Sequence, residues 1–252
     1  MATFKDEGVV LRTMRLGEAD RIVTLATPEY GKVRAVAKGI RKSKSKLAGR
    51  LEPMTHVSVM CWKGRELDIV QQVEVVDHFR PIRDDLDRMP LAFTMLEAID
   101  QLAVERHPMP EEFRLLVRAL HTLASSGGAV ILGAFLWKLL ALEGVGPVVE
   151  QCASCGQDAP LVAFDSGVGG FLCKSCRSGV GVLPDTVTLV RQILGGQLSA
   201  ALAVPPSRAT AEVEKLATAA AEYHFDRRLR SAHTSLVSSN TETAQHRPAA
   251  SS

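Results

Sequence analysis

Two Cys-x-x-Cys knuckles constrain this chain more than any other feature: Cys152 and Cys155, then seventeen residues, then Cys173 and Cys176. Each knuckle is a tight turn that offers two thiolates to one ion. Repeated after a short out-and-back excursion, it makes the spacing of a tetrahedral four-thiolate zinc site. Gly156, Gly169, Gly170 and Gly179 flank the pairs and suit the sharp backbone. Two disulfides are the competing reading of the same four residues. Four thiolates close the coordination shell, so the quartet predicts one structural Zn2+ and leaves no position for water or substrate. Lys174 and Arg177 are expected to offset the charge of the site. A module of this size has too little core to fold alone and must lean on a larger domain.

Charge divides the chain. Residues 1–50 hold twelve Lys/Arg and five Asp/Glu, a net of +7, while residues 51–252 hold eighteen and twenty-three, a net of −5. The total of +2 therefore conceals a cationic end that attracts polyanions. Apolar residues at 46% are enough for a real core, and aromatics at 5% make that core mainly Leu, Val and Ala. Cys61 has no partner left once the quartet binds metal, which points to a reducing cytosol. The first twenty residues carry seven charges and no apolar region, so no secretory signal is expected. The longest apolar stretch, 129–142, contains Lys138 and is too short to span a bilayer.

Five β-branched runs, at 8–15, 21–27, 32–38, 55–62 and 66–75, predict strands, with turn chemistry at 28–31 and 63–65. Five short strands with a long connection after the third suit an OB-fold, with an SH3-like barrel or an open meander as alternatives. From Pro81 the period becomes helical. Helices are predicted over 90–107, 110–124, 129–142, 184–196 and 211–230, the third apolar almost all round. The fold class is thus α+β multidomain. Residues 1–80 are expected to form a five-stranded OB-fold barrel. An all-α domain occupies 81–150 and 179–231, with a four-cysteine zinc module inserted at 151–178, and 232–252 is a polar tail.

Lys32, Arg34, Lys38, Arg41, Lys42, Lys44, Lys46 and Arg50 fall within nineteen residues that contain no acid. As a strand, 32–38 puts Lys32, Arg34 and Lys38 on one face, and a glycine- and serine-containing loop follows. Alone, such a run is most often a solvated loop. On an OB-type barrel it predicts a phosphate-tracking surface with little sequence preference. Tyr30 and Trp62 can each stack a base or plug the barrel, and Trp62 is assigned to the core.

Signatures of catalysis are missing. There is no G-x-x-x-x-G-K-[ST], no H-E-x-x-H, no H-x-E ahead of the cysteines and no nucleophile elbow. Asp84, Asp85 and Asp87 read as helix-start charges rather than nuclease ligands. Arg227, Arg228 and Arg230 cap a helix end or dock an acidic peptide, with capping preferred. No enzyme is expected; a zinc hydrolase conflicts with a closed site.

Four pieces, in this order and spacing, resemble the bacterial RecO family of recombination mediators: KGIRKSKSKLAGRLEP after the third strand; LLALEGVGP before the cysteines; CASCG followed by FDSGVGGFLCKSC; and YHFDRRLRS late in the chain. The resemblance covers about residues 5–231. It implies an N-terminal OB-fold, a C-terminal helical domain often carrying zinc, and a bacterial cytoplasmic, nucleoid-associated protein with no membrane contact. It also implies binding of single- and double-stranded DNA, annealing of complementary strands, partnership with RecR, contact with the acidic tail of single-stranded DNA-binding protein, and indirect help to RecA. A zinc-ribbon RNA-binding or transcription-associated adaptor, or a protein-contact scaffold, is the alternative.

Overall fold

A computed structural model describes residues 2–43 and 45–232. Lys44 and the expected tail beyond Ala232 lie outside the described residues. The first five strands are β1 (Thr3–Leu16), β2 (Asp20–Thr27), β3 (Gly31–Ala37), β4 (His56–Trp62) and β5 (Asp68–Asp77). They close into a barrel in the order β1-β2-β3-β5-β4, the OB arrangement. The long β1 serves two neighbours, pairing with β4 through its first half and with β2 through its second. A register shift between Val10 and Arg12 bends it between them. The barrel closes where β3 runs parallel to β5 over two pairs, Ala35 with Asp68 and Val36 with Ile69. A single 3-10 turn, Ala48–Arg50, lies in the connection from β3 to β4.

Alternation sets the barrel interior. Val10, Val23, Leu25, Val33, Ala35, Val57, Val59 and Cys61 point inward and are buried. The outer face of β1 and β2 is apolar too. Val9, Leu11 and Ala26, with Met54, belong to the core of the helical region. That region holds α1 (Arg80–Arg83), α2 (Arg88–Leu102), α3 (Pro110–Ser125), α4 (Ile131–Leu142), α5 (Pro184–Leu194), α6 (Leu198–Leu202) and α7 (Arg208–Phe225). The central helix α4 is buried nearly all round, as its composition requires. It meets α7 at Gly133, where a Cβ would fall 2.9 Å from Val213 Cγ1 and 3.2 Å from the Glu214 backbone.

Two helices end earlier than their sequence runs predict. The α2 helix stops at Leu102, and Pro108 disfavours helical backbone at His107. The released segment lies along β3: Lys32 N–H donates to Val104 O (3.1 Å) and Arg106 N–H to Lys32 O (3.4 Å). A Cβ on Gly31 would sit 1.9 Å from His107 O, so this approach requires glycine. The α7 helix stops at Phe225, where Asp226 adopts left-handed backbone (φ 50°). Arg227, Arg228 and Arg230 therefore follow the helix rather than form its last turn. Leu229 N–H donates to Glu222 Oε1 (2.8 Å), Leu229 is buried, and the Arg230 and Ser231 N–H groups donate to Glu97. These contacts return the chain to α2.

Between α4 and α5 the cysteine segment contains a three-stranded sheet, β6 (Leu161–Asp165), β7 (Gly170–Cys173) and β8 (Val180–Gly181), in the order β7-β6-β8. Its buried side chains join the helical core. Phe164 packs edge-on against Trp137 of α4 (centroids 5.6 Å apart) and 5.0 Å from Phe171. The module thus leans on α4 through aromatic contact.

Candidate nucleic-acid interface and metal centre

The basic residues fall into two groups. Lys38, Arg41, Lys42, Lys46 and Arg50 are exposed at the end of β3 and in the loop after it; Lys44 lies outside the described residues. Two of the five are braced by backbone oxygens: Arg41 Nη1 donates to Glu18 O (2.8 Å) and Arg50 Nη1 to Val73 O (2.9 Å). Neither contact consumes the positive charge. Gly39 N–H donates to Asp20 Oδ1 (2.7 Å), and Ile40 and Leu51 are fully buried, so the loop is anchored at both ends with its cations outward.

Lys32 and Arg34 take the expected outer face of β3, but the helical region covers it. Lys32 Nζ lies 3.3 Å from Asp100 Oδ1 and donates to the Asp100 carbonyl. Arg12 Nε binds the other Asp100 oxygen at 2.6 Å, and Arg34 Nη1 stands 3.4 Å from Glu105 Oε1. These cations fasten the barrel to α2 and to the segment after it. Period-two reading identifies the face of a strand and is silent on which other element packs there.

Of the two aromatic residues left open to stacking or plugging, Tyr30 takes the core, and Trp62, assigned to the core, does not. Tyr30 packs 4.3 Å from Phe4 against the barrel core, whereas Trp62 is 42% exposed at the end of β4. Parity decides it: Cys61 is the inward residue of the pair, so its neighbour must face out. Burial pushes the Cys61 thiol up to about 12, which leaves it an inert apolar side chain.

The four cysteines converge. All four sulfurs lie within 4.8 Å of one another, and Cys155 Sγ and Cys173 Sγ are 3.9 Å apart. Thiolates about 2.3 Å from a tetrahedral metal are separated by about 3.8 Å, so the donor set fits one ion. Cys173 N–H points at Cys152 Sγ (3.4 Å). That contact, aided by the N–H of Cys155, draws the Cys152 thiol down to about 6. The neighbouring thiols, Cys155 foremost, push Cys176 up to about 12. Crowded thiols with one readily ionised member form a metal-binding set rather than an apolar one. Asp165 ties the second knuckle to β6. It accepts from Ser178 Oγ (2.6 Å) and from the N–H groups of Gly167 and Val168, which hold its carboxyl below the usual range.

Asp84, Asp85 and Asp87 assemble no metal site. Asp85 Oδ1 accepts the N–H of Asp87 (2.9 Å) and of Arg88 (3.1 Å), and Arg88 Nε lies 2.9 Å from Asp85 Oδ2, a helix-start role. A feature not read in the sequence lies between α3 and α4. This groove of about 460 Å3 is floored by Leu115, Ala119 and Phe135 and rimmed by Arg114, Arg118 and Lys138. Glu111 pairs with Arg114, while no acid pairs with Arg118 or Lys138 among the described residues. Its signal was the presence of Arg114 and Arg118 four apart on α3, with Lys138 breaking the apolar run of α4. Arg227 and Arg228 instead share a cleft with the acids Glu97 and Asp100. Among the described residues no helix is long and apolar enough to cross a membrane.

Comparison with known proteins agrees with this arrangement. The family described as "Recombination protein O N terminal" matches residues 1–79, and "Recombination protein O C terminal" matches residues 83–233. A curated relative from Cutibacterium acnes, named DNA repair protein RecO, is 38% identical over 241 residues, covering 92% of this chain and 98% of the relative. One of the same name from Nocardioides sp. is 39% identical over 237 residues, covering 90% and 97%. With both halves matched in order and the relatives aligned nearly end to end, the chain belongs to the recombination protein O (RecO) family of DNA repair proteins.

Proposed function

We propose that this chain is a non-catalytic recombination mediator of the bacterial cytoplasm. It binds single- and double-stranded DNA through phosphates, anneals complementary strands, and works with RecR and single-stranded DNA-binding protein to help load RecA. The observation that carries this reading is the acid-free segment 32–50, whose exposed cations Lys38, Arg41, Lys42, Lys46 and Arg50 ride on a closed OB barrel. One cationic surface that screens two phosphate backbones brings complementary strands together without nucleotide hydrolysis. With Lys32 and Arg34 engaged by acids, about five phosphate contacts remain. Log affinity for single strands then falls with log salt at a slope of roughly −3.5.

The groove between α3 and α4 supports contact with the acidic tail of single-stranded DNA-binding protein. It offers an apolar floor and two cations with no acid partner among the described residues, the complement of an acidic peptide. The cleft at Arg227 and Arg228 is poorer for this purpose because Glu97 and Asp100 already stand in it. The thiolate quartet suits Zn2+, held by Cys152, Cys155, Cys173 and Cys176 in a purely structural role.

One experiment tests the reading: annealing of complementary oligonucleotides, bare and coated with single-stranded DNA-binding protein. Reversing the charge of Lys38, Arg41, Lys42 and Lys46 abolishes annealing on both substrates, and an unchanged rate sinks the assignment. Reversing Arg118 and Lys138 slows annealing of coated strands alone by roughly tenfold or more, the scale of losing a charge-assisted contact. An equal effect on bare strands removes the groove from the proposal.

A further inference from the structure

We propose that Trp62 is a base-stacking platform for unpaired nucleic acid, carried on the β4–β5 hairpin with Lys63 and Arg65 placed to meet the flanking phosphates. The proposal rests on the DNA-binding reading above and adds to it a contact that tells single strands from duplex.

Trp62 is the last residue of β4 and points away from the barrel with 42% of its surface exposed. A single exposed apolar side chain is ordinary, so exposure alone decides nothing. The setting decides more. The five-residue connection to β5 begins Lys63-Gly64-Arg65-Glu66, in which Lys63 and Arg65 are exposed and, among the described residues, without an ion-pair partner. An indole edged by two cations and one acid is poorly suited to an apolar protein partner. It is well suited to a base with phosphates on either side.

The hairpin is also held still. Lys63 N–H donates to Ala2 O (2.8 Å), Gly64 N–H to Asp68 Oδ1 (2.9 Å), and Arg106 Nη2 to Gly64 O (3.3 Å) while lying 3.6 Å from Asp68 Oδ1. A Cβ on Gly64 would be 1.8 Å from Leu67 O, so the turn closes only around glycine. A platform fixed by four contacts loses little freedom when a base lands on it.

Register places the platform on the path of the basic loop. Trp62 pairs with Ile69, and Ile69 pairs with Val36 on β3, so the backbone of Trp62 lies two strand spacings, about 10 Å, from that of Val36. Lys38 follows Val36 by two residues on the same outer face, where the cationic loop begins. The platform and the loop thus fall well within the roughly 4–16 nucleotides that an OB fold covers. In a duplex the base faces are occupied by one another, so duplex DNA gains nothing from Trp62. An unpaired strand presents a free face.

Intrinsic fluorescence of the intact protein tests this, because the chain has two tryptophans and Trp137 is 1% exposed in the core. Titration with unpaired oligo-dT quenches the wild-type emission, and Trp62→Phe abolishes the quench. Trp62→Ala weakens oligo-dT binding by roughly 5- to 150-fold, the range for one base–aromatic stack, and changes duplex affinity less than twofold. A quench that persists in Trp62→Phe overturns the proposal, as does unchanged single-strand affinity in Trp62→Ala or equal losses for both DNA forms. Failure of the parent reading looks different: the wild type then binds neither DNA form, or the four-charge reversal leaves binding intact.

Discussion

His56 shows how a single side chain sets conditions on the whole protein. It begins β4, is buried, and meets Phe113 of α3 edge-on with ring centroids 5.8 Å apart. Burial holds its imidazole below the ordinary histidine value, against the weaker opposing pull of Glu7. As pH falls below about 6.5, the unfolded chain takes up the proton first. Stability therefore declines until the folded ring also titrates, and it is fully present only above that window. Melting temperature measured from pH 7.5 down to 5 should fall for the wild type. A His56→Gln variant should show a shallower dependence; identical slopes would remove His56 from the account. Its pairing with Phe113 was illegible in the sequence, where His56 is one polar residue at the edge of a β-branched run. Trp62 was misplaced for a related reason. An aromatic residue at a strand end invites burial, yet parity with Cys61 excludes it.

At the scale of elements, the cysteine module was legible as metal chemistry and only half legible as structure. The Cys-x-x-Cys spacing predicts a shared metal site, and the structure brings all four sulfurs together, positioned to bind one ion. The sheet β7-β6-β8 and the contact of Phe164 with Trp137 were not readable, since short strands between turns carry little periodicity. Cys155 and Cys176 are the more open ligands, whereas Cys152 and Cys173 are buried. Cys155→Ser with Cys176→Ser thus removes coordination with little loss of packing. The expected result is loss of one equivalent of bound metal and rapid proteolysis within residues 149–182, while the barrel stays resistant. Metal binding in small zinc domains supplies about 10–16 kcal/mol, so retained protease resistance would mean that the aromatic contacts alone hold the module. The two helix ends teach a similar lesson. Helical pattern continues to His107 and Arg230, but the extended Ala103 and the left-handed Asp226 stop the elements sooner.

The whole molecule is organised by the face on which barrel and helices meet. Asp100 gathers Arg12 and Lys32 there, and Val9, Leu11 and Ala26 supply the apolar part. Lys32 should therefore behave as a structural residue and Lys42 as a ligand-binding one. Lys32→Ala is expected to cost about 1–2 kcal/mol in urea unfolding and to leave the salt slope of DNA binding as it was. Lys42→Ala should lower that slope by roughly 0.7 and leave unfolding unchanged. The reverse pattern would return Lys32 to the DNA surface. The sequence showed both lysines as members of one charge run, because only the tertiary arrangement brings Asp100 to one of them.

That shared face has a consequence during synthesis. The barrel leaves the ribosome first, with Val9, Leu11, Ala26 and Met54 still lacking the helices that cover them. At about 5–20 residues per second, the stretch from Asp77 to the end of α3 at Ser125 takes roughly 2–10 s to emerge. For those seconds the nascent chain carries a sticky apolar stripe beside a cationic loop, and the arrival of α2 and α3 ends its exposure.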